Sequence, residues 1–250
     1  LERMKEHIFT VMGRYRGRIH GWDVVNEAIL PDGKYRNSKW FEIIGEDHVL
    51  KAYEYARQAD PDAQLYYNDY NMWKKPQYEG VIRLVQDLQS KGVQIDGVGI
   101  QGHWGLDYPT VTEIEGFIAT LSTLGVKLMI TELDVSVIPY TEDYDWGTDI
   151  STLSAELQKK FDPYPDGTPE SVQQDLTKRY DELFAIFHKH RQKIGRVTFW
   201  AIHDEQSWRN YMPLSTRTDY PMLFDRQLQP KPAFDAVVKR WQSRQSKLNR

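Results

Sequence analysis

The 250-residue sequence contains no cysteine. A disulfide framework, a thiolate zinc site and a cysteine nucleophile are therefore all excluded, while the compartment stays open on that evidence. No apolar run approaches the roughly 18 residues of a membrane-spanning helix, and the first fourteen residues are too charged to form a signal peptide. Neither sign of charge dominates: 32 basic against 36 acidic side chains give a net charge of −4. A concentrated basic face for nucleic acid or an anionic membrane is not what this composition offers. No Gly-rich dinucleotide loop is present, since the Gly-x-Gly at Gly97 and Gly99 lacks the rest of that fingerprint. What the sequence does have is aromatic side chains, 13% of the total with eight Trp and fifteen Tyr. Rings at that density suit either a large aromatic core or stacking on flat ligands such as sugar faces.

Hydrophobic periodicity divides the chain into alternating elements. Helices are expected near residues 1–15, 47–58, 78–89, 113–124, 171–190 and 232–242, and strands near 19–25, 64–67, 97–100, 127–131 and 196–201. Strands and helices alternating every 30 to 40 residues or so imply βαβ units and a parallel sheet. Polar residues gather where strands end: Asn26 and Glu27, Asn68 and Asp69, Gln101 and His103, Glu132 and Asp134, Trp200 and Asp204. That pattern favours a (β/α)8 TIM barrel over a doubly wound sheet, because barrel sites are assembled from the carboxyl ends of several strands. With five strands of the eight, the chain reads as strands 4 to 8 of one barrel, the C-terminal part of a single catalytic domain over residues 1–250. The connection from Val135 to Pro169, rich in Pro, Tyr and Trp, is longer than loops usually are and reads as a cleft wall.

Two glutamates carry the chemical reading. Glu27 follows Asn26 at one strand exit, and Glu132 ends Ile130-Thr131-Glu132 at another. In one barrel both would face a single polar cleft, and paired carboxylates across a cleft are the equipment for cleaving a glycosidic bond. Asn26 is placed to donate to a sugar 2-hydroxyl, and His103 to hydrogen-bond Glu132 and keep it oriented and ionised. Trp200 and Trp208 are candidates for stacking around a pyranose ring. Metal chemistry fits poorly: His188 and His190 are two apart on a helix, and Glu142, Asp143, Asp145 and Asp149 lack the EF-hand spacing.

Six segments in order make the sequence resemble glycoside hydrolase family 10, the endo-β-1,4-xylanases. Trp22-Asp23-Val24-Val25-Asn26-Glu27 is similar to the family's acid/base segment and Ile130-Thr131-Glu132-Leu133-Asp134 to its nucleophile segment. Tyr67-Asn68-Asp69-Tyr70-Asn71, Gly99-Ile100-Gln101-Gly102-His103, Val197-Thr198-Phe199-Trp200 with Ser207-Trp208, and Leu223-Phe224-Asp225 match further family segments. The resemblance implies a retaining double displacement on xylan and xylo-oligosaccharides, with Glu132 as nucleophile and Glu27 as acid and then base. It also implies that Asn26, Gln101, His103, Trp200 and Trp208 surround the sugar at the cleaving subsite, with Asn68 and Tyr70 toward the leaving group. No cofactor or metal is implied, nor a nucleic-acid partner or membrane insertion. A secreted, cell-surface or periplasmic location is implied, with any export signal outside this sequence.

The family begins with three further strands that this chain is expected to lack. The resemblance therefore implies a partner segment, separate or otherwise not among these residues, that supplies them. Ala201-Ile202-His203-Asp204 also stands where the family commonly has Gly-Val-Thr-Asp. A β-1,4-glucanase of the same barrel clan and a noncatalytic xylan-binding fragment are the competing readings.

Overall fold

The computed structural model describes residues 1–140 and 147–248. In chain order its elements are α1 (Glu2–Arg14), β1 (Gly21–Asn26), α2 (Lys39–Ile44), α3 (Asp47–Ala59), β2 (Gln64–Asp69), α4 (Lys75–Ser90), β3 (Gly97–Ile100), β4 (His103–Gly105), α5 (Val111–Leu121), β5 (Lys127–Ser136), β6 (Thr148–Asp149), α6 (Ala155–Phe161), α7 (Glu170–Lys189), β7 (Ile194–Phe199), β8 (Leu214–Ser215) and α8 (Pro232–Leu248). The chain divides into two compact units, and β5 and β7 contribute residues to both.

The first unit holds residues Leu1–Gly102, Glu113–Thr131 and Gln192–Val197. Its sheet runs β1-β2-β3-β5 with every neighbour parallel, and β7 pairs β5. Among the described residues β1 pairs only with β2, so the strand order is open. The helices form because their apolar residues fall on one stripe. On α4 the buried set Val81, Leu84, Val85 and Leu88 follows the i, i+3, i+4, i+7 spacing of a core-facing helix. Each such side chain removed from water contributes about 1.5–3 kcal/mol before the entropy of ordering is subtracted. The two central strands are covered on both faces, β3 buried throughout and β2 at every residue but Gln64, whereas β1 and β7 keep exposed residues.

Register decides what this sheet presents at its carboxyl edge. Asn26 lies opposite Asn68, and Asn68 opposite Gly99, so the strand exits are level. A Cβ on Gly99 would sit 2.4 Å from the Asn68 side-chain oxygen and 2.9 Å from Thr131 Cγ2. Glycine there is what lets Thr131 Oγ1 reach across and donate to Asn68 Oδ1 at 2.7 Å.

The second unit holds His103–Thr112, Glu132–Arg191 and Thr198–Arg250. Here β4 pairs in parallel with the far half of β5, His103 opposite Asp134. Helix α7 buries Val172, Leu176, Tyr180, Leu183 and Phe187 along one stripe. Tyr180 packs on Phe199 and donates through its hydroxyl to Pro221 O.

The structure corrects three expectations. Strand β5 does not stop at Thr131 but runs on to Ser136, because the polar residues beyond it find buried partners. The connection from Val135 to Pro169 is not structureless. It carries β6, which pairs β8, and α6, whose Phe161 packs with Ile150 and Leu214 in a small core of their own. Short elements α2 and β4 also escaped the periodicity, which needs more residues than they have. The acidic residues Glu142, Asp143 and Asp145 lie outside the described residues. Among those described, no helix is long and apolar enough to cross a membrane.

Candidate active site

In the first unit the carboxyl edge of the sheet converges on Glu27. Its carboxylate accepts from Gln101 Nε2 at 2.9 Å and Asn26 Nδ2 at 3.4 Å through Oε1, and faces Arg36 Nη2 at 3.5 Å through Oε2. Arg36 also donates to the Tyr70 hydroxyl at 3.1 Å, its guanidinium 5.7 Å from that ring. Asn68 is buried, and its amide donates to Asn26 Oδ1 at 3.0 Å while its oxygen accepts from Thr131. The geometry makes Asn68 a brace for Asn26 within the sheet edge. Asn26, Glu27, Asn68, Tyr70 and Gln101 thus form one connected group in this unit.

Glu27 also departs from ordinary backbone. Its φ of 57° is left-handed, a region that costs a side-chain-bearing residue of order 1–3 kcal/mol and persists only where the surroundings over-determine it. They do so here from both sides. Glu27 N donates to Asn68 O at 2.9 Å, and Glu27 O accepts from Arg36 Nε at 2.7 Å. The next two amides, of Ala28 and Ile29, both donate to the buried Tyr67 hydroxyl at 3.1 Å. That hydroxyl in turn donates to Asp69 Oδ2. Burial, with a contribution from the Glu27 charge, pushes the Asp69 carboxyl up to about 7 despite the hydrogen bonds it accepts. Burial likewise raises the Tyr67 hydroxyl well above the ordinary tyrosine range.

In the second unit the far half of β5 carries Glu132 and, two residues on, Asp134. Side chains two apart on a strand share a face, so both meet the neighbouring strand β4. His103 on β4 bridges them, with Nε2 3.2 Å from Glu132 Oε2 and Nδ1 3.0 Å from Asp134 Oδ2. Asp134 is fully buried and saturated with donors: Arg209 Nε at 2.7 Å on Oδ1 and Trp208 Nε1 at 2.8 Å on Oδ2. Burial works against its charge, yet the positive charges of Arg209 and His103 hold its carboxyl below the usual range. Trp208 lies 4.8 Å from the His103 ring, centroid to centroid, and Trp200 lies 6.4 Å from it. Trp200 is 51% exposed and is anchored by its amide, which donates to Leu133 O at 3.2 Å.

His103 is drawn two ways. Burial disfavours its charged form, but the charge of Asp134 and the hydrogen bonds to Asp134 and Glu132 outweigh that and raise its pKa. Both ring nitrogens of an imidazolium donate, which suits two flanking carboxylates. The sign of the linkage follows: the imidazolium's stabilisation is complete below the unfolded value near 6.5 and is lost as pH rises through the raised folded value. His103→Gln is expected to flatten this decline in urea midpoint above about pH 6.5; an unaltered slope would show that His103 is not the group titrating there.

Asp69 and Asp134 were expected at strand exits but given no role, and Arg209, Arg36 and Tyr67 were not expected at the site. For Asp134 the signal was available, since Glu-x-Asp on a strand places both acids on one face. Arg36 reaches the site from a loop and Arg209 from a single turn of 3-10 helix (Trp208–Asn210), both too short for periodicity to announce. Among the described residues, no group of three or more His, Asp or Glu is arranged to hold a metal ion. A cavity of about 320 Å³ in the first unit, lined by Trp73, Lys74, Tyr78 and Phe117 among others, contains none of the site residues expected from sequence.

Parallel βα units, with Glu27 just past β1 and Glu132 within β5, are the arrangement that a barrel-class glycoside hydrolase uses. The sequence model of glycosyl hydrolase family 10 matches residues 1–240, and the chain belongs to that family, whose fold is the (β/α)8 TIM barrel. It is 41% identical over 239 residues to endo-1,4-beta-xylanase A of Xylanibacter ruminicola, covering 96% of this chain and 64% of that protein. It is 40% identical to endo-1,4-beta-xylanase of Geobacillus stearothermophilus, covering 95% of this chain and 67% of that one. Among solved structures, a GH10 endoxylanase retrieved from sugarcane soil metagenome superposes with a TM-score of 0.87 at 42% identity, over 95% of this chain and 67% of its own. A mutant solved in complex with xylotriose gives 0.82 at 34% identity, over 95% and 68%. The chain therefore spans about two thirds of the length of the relatives it matches.

Proposed function

We propose that the protein is an endo-acting hydrolase of β-1,4-xylosidic bonds in xylan and xylo-oligosaccharides, working by double displacement with retention. Family membership and the xylanase names of its relatives support the substrate class. The observation that carries the mechanism is the Glu132–His103–Asp134 bridge, which orients the Glu132 carboxylate through its Oε2.

In the first step a Glu132 oxygen attacks the anomeric carbon, the glycosidic bond breaks, and Glu27 gives its proton to the departing oxygen. A glycosyl ester on Glu132 results. In the second step Glu27, now a carboxylate, takes a proton from water as that water attacks the same carbon, and the ester bond to Glu132 breaks. The sugar leaves with its original anomeric configuration. Asn26 is suited to the 2-hydroxyl, where a hydrogen bond strengthens as oxocarbenium character develops. Gln101 orients Glu27 and so holds the acid as well as lining the subsite. Trp208 and Trp200 supply the apolar surface beside the sugar ring, and Tyr70 and Asn68 stand on the Glu27 side, toward the leaving group.

A segment supplying the family's three further strands, on this or a separate polypeptide, is proposed to complete the glycone side. Because polymeric xylan does not cross membranes, the reading also places the protein outside the cytoplasm, secreted, periplasmic or on the cell surface.

Initial rates on xylan and on soluble cellulose test the substrate class, with xylan expected to be preferred by at least tenfold. Comparable rates would favour a β-1,4-glucanase, and binding without turnover would leave a xylan-binding fragment. Glu27→Ala is expected to lower turnover of xylan by about 10²–10⁴, the range of general acid–base catalysis. On a dinitrophenyl xyloside, whose leaving group needs no proton, added azide is expected to speed turnover of this variant by forming a β-xylosyl azide. An unchanged rate would remove Glu27 from the mechanism.

A further inference from the structure

We propose that Tyr67 and Asp69 are positioning residues that lock the left-handed backbone at Glu27 and thereby aim its carboxyl group at the leaving oxygen. The inference rests on Glu27 being the acid/base group proposed above.

The contacts form a closed chain of bonds beneath the sheet edge. The Tyr67 hydroxyl has one proton and two lone pairs, and all three are used: it accepts from Ala28 N and Ile29 N, each at 3.1 Å, and donates to Asp69. Asp69 is held in turn by Tyr70 N at 2.8 Å and Gln77 Nε2 at 3.0 Å, both on Oδ1. Gln77 Nε2 also donates to Ile29 O at 3.1 Å, tying the same segment a second time. Tyr67, Asp69 and Gln77 are all fully buried. None of them contacts the Glu27 carboxylate, yet together they fix the two peptide units that follow it.

The physical consequence is specific. A residue with positive φ relaxes toward the right-handed or extended region once its flanking amides are released. Rotation there swings the Cα–Cβ bond, moving the carboxyl away from Gln101 Nε2 and Arg36, and a misplacement of about 1 Å can cost a reacting group about a hundredfold. Asn26, whose amide is braced by Asn68 from the other side, stays in place. Substrate binding is therefore expected to survive while proton transfer suffers.

The decisive comparison uses leaving groups, because an aryl xyloside with a dinitrophenol leaving group departs without a proton and xylotriose does not. The whole protein carries Tyr67→Phe, which deletes only the hydroxyl, or Asp69→Asn, which keeps an oxygen for Tyr70 N and Gln77 but loses the carboxylate facing Tyr67. For both variants kcat on xylotriose is expected to fall about 10- to 100-fold with KM within twofold. The pre-steady-state burst of dinitrophenol, which reports glycosylation of Glu132, is expected to change by less than threefold. A merely structural role would lower both substrates alike, so equal losses, or unchanged kcat on xylotriose, would overturn the proposal. If Tyr67→Phe fails to fold, Asp69→Asn decides by the same comparison. Glu27→Ala runs in parallel: equal loss on both substrates there would remove the acid/base assignment and this inference with it. Leaving-group dependence in Glu27→Ala but in neither other variant would remove only the inference.

Discussion

Glu132→Ala in the whole protein is expected to lower kcat on xylan by about 10⁵-fold, roughly 7 kcal/mol of transition-state stabilisation at 1.36 kcal/mol per tenfold. The loss is large because the proposed nucleophile replaces one difficult displacement by two easier ones, and Asp134, the other carboxylate on His103, is fully buried against Arg209 and Trp208. Binding of xylo-oligosaccharides is expected to persist, since the groups proposed to hold the sugar do not depend on Glu132. Azide is expected to restore turnover and to yield an α-xylosyl azide, the opposite anomer to that expected from Glu27→Ala, because the small anion would attack from the face Glu132 vacates. A 2-fluoro xyloside with a good leaving group should label Glu132 in the wild type. Labelling elsewhere, or an alanine variant retaining more than about a tenth of wild-type activity, would remove Glu132 as nucleophile.

Arg209→Met is expected to destabilise the protein by about 3–5 kcal/mol, the range for removing one partner of a buried ion pair. Arg209 is buried against Asp134 at 2.7 Å and also donates to Trp104 O at 3.1 Å, so methionine fills the volume but leaves a fully buried carboxylate short of its strongest counter-charge. In the wild type Asp134 has a depressed pKa, and the stability it contributes is present above its unfolded value near 3.9 and lost as pH falls through the folded value. The variant lacks most of that contribution, so the gap between the two proteins narrows below about pH 4. Urea unfolding at pH 7 and at successive pH values below 4 measures both terms. Asp134→Asn added to Arg209→Met is expected to recover part of the loss, because no buried charge then lacks a partner. A single-variant loss under 1 kcal/mol would show that the carboxylate is neutralised some other way.

The five long strands and the six long helices were legible because each carries a periodicity over enough residues to be recognised. Val81, Leu84, Val85 and Leu88 state a helix by their spacing alone. What sequence reading cut short was β5, where Glu132 and Asp134 interrupt an apolar run. Buried acids end a strand only if nothing answers them, and here His103, Trp208 and Arg209 do. The same limit hid Arg209, which lies 75 residues beyond its partner on a single 3-10 turn too short to carry a periodic signature.

Sequence alone determined the alternation of strand and helix, the parallel class of the sheet, and two glutamates in segments resembling one hydrolase family. Residue type and local spacing suffice for those, because periodicity and strand-end chemistry are properties of neighbours in the chain. Tertiary structure decided which groups orient the glutamates: the left-handed backbone at Glu27 held by Tyr67, and Glu132 aligned through His103 to a buried Asp134. Those are long-range hydrogen bonds between buried partners. Burial is what makes each bond strong and each partner necessary, and burial exists only once the chain has folded.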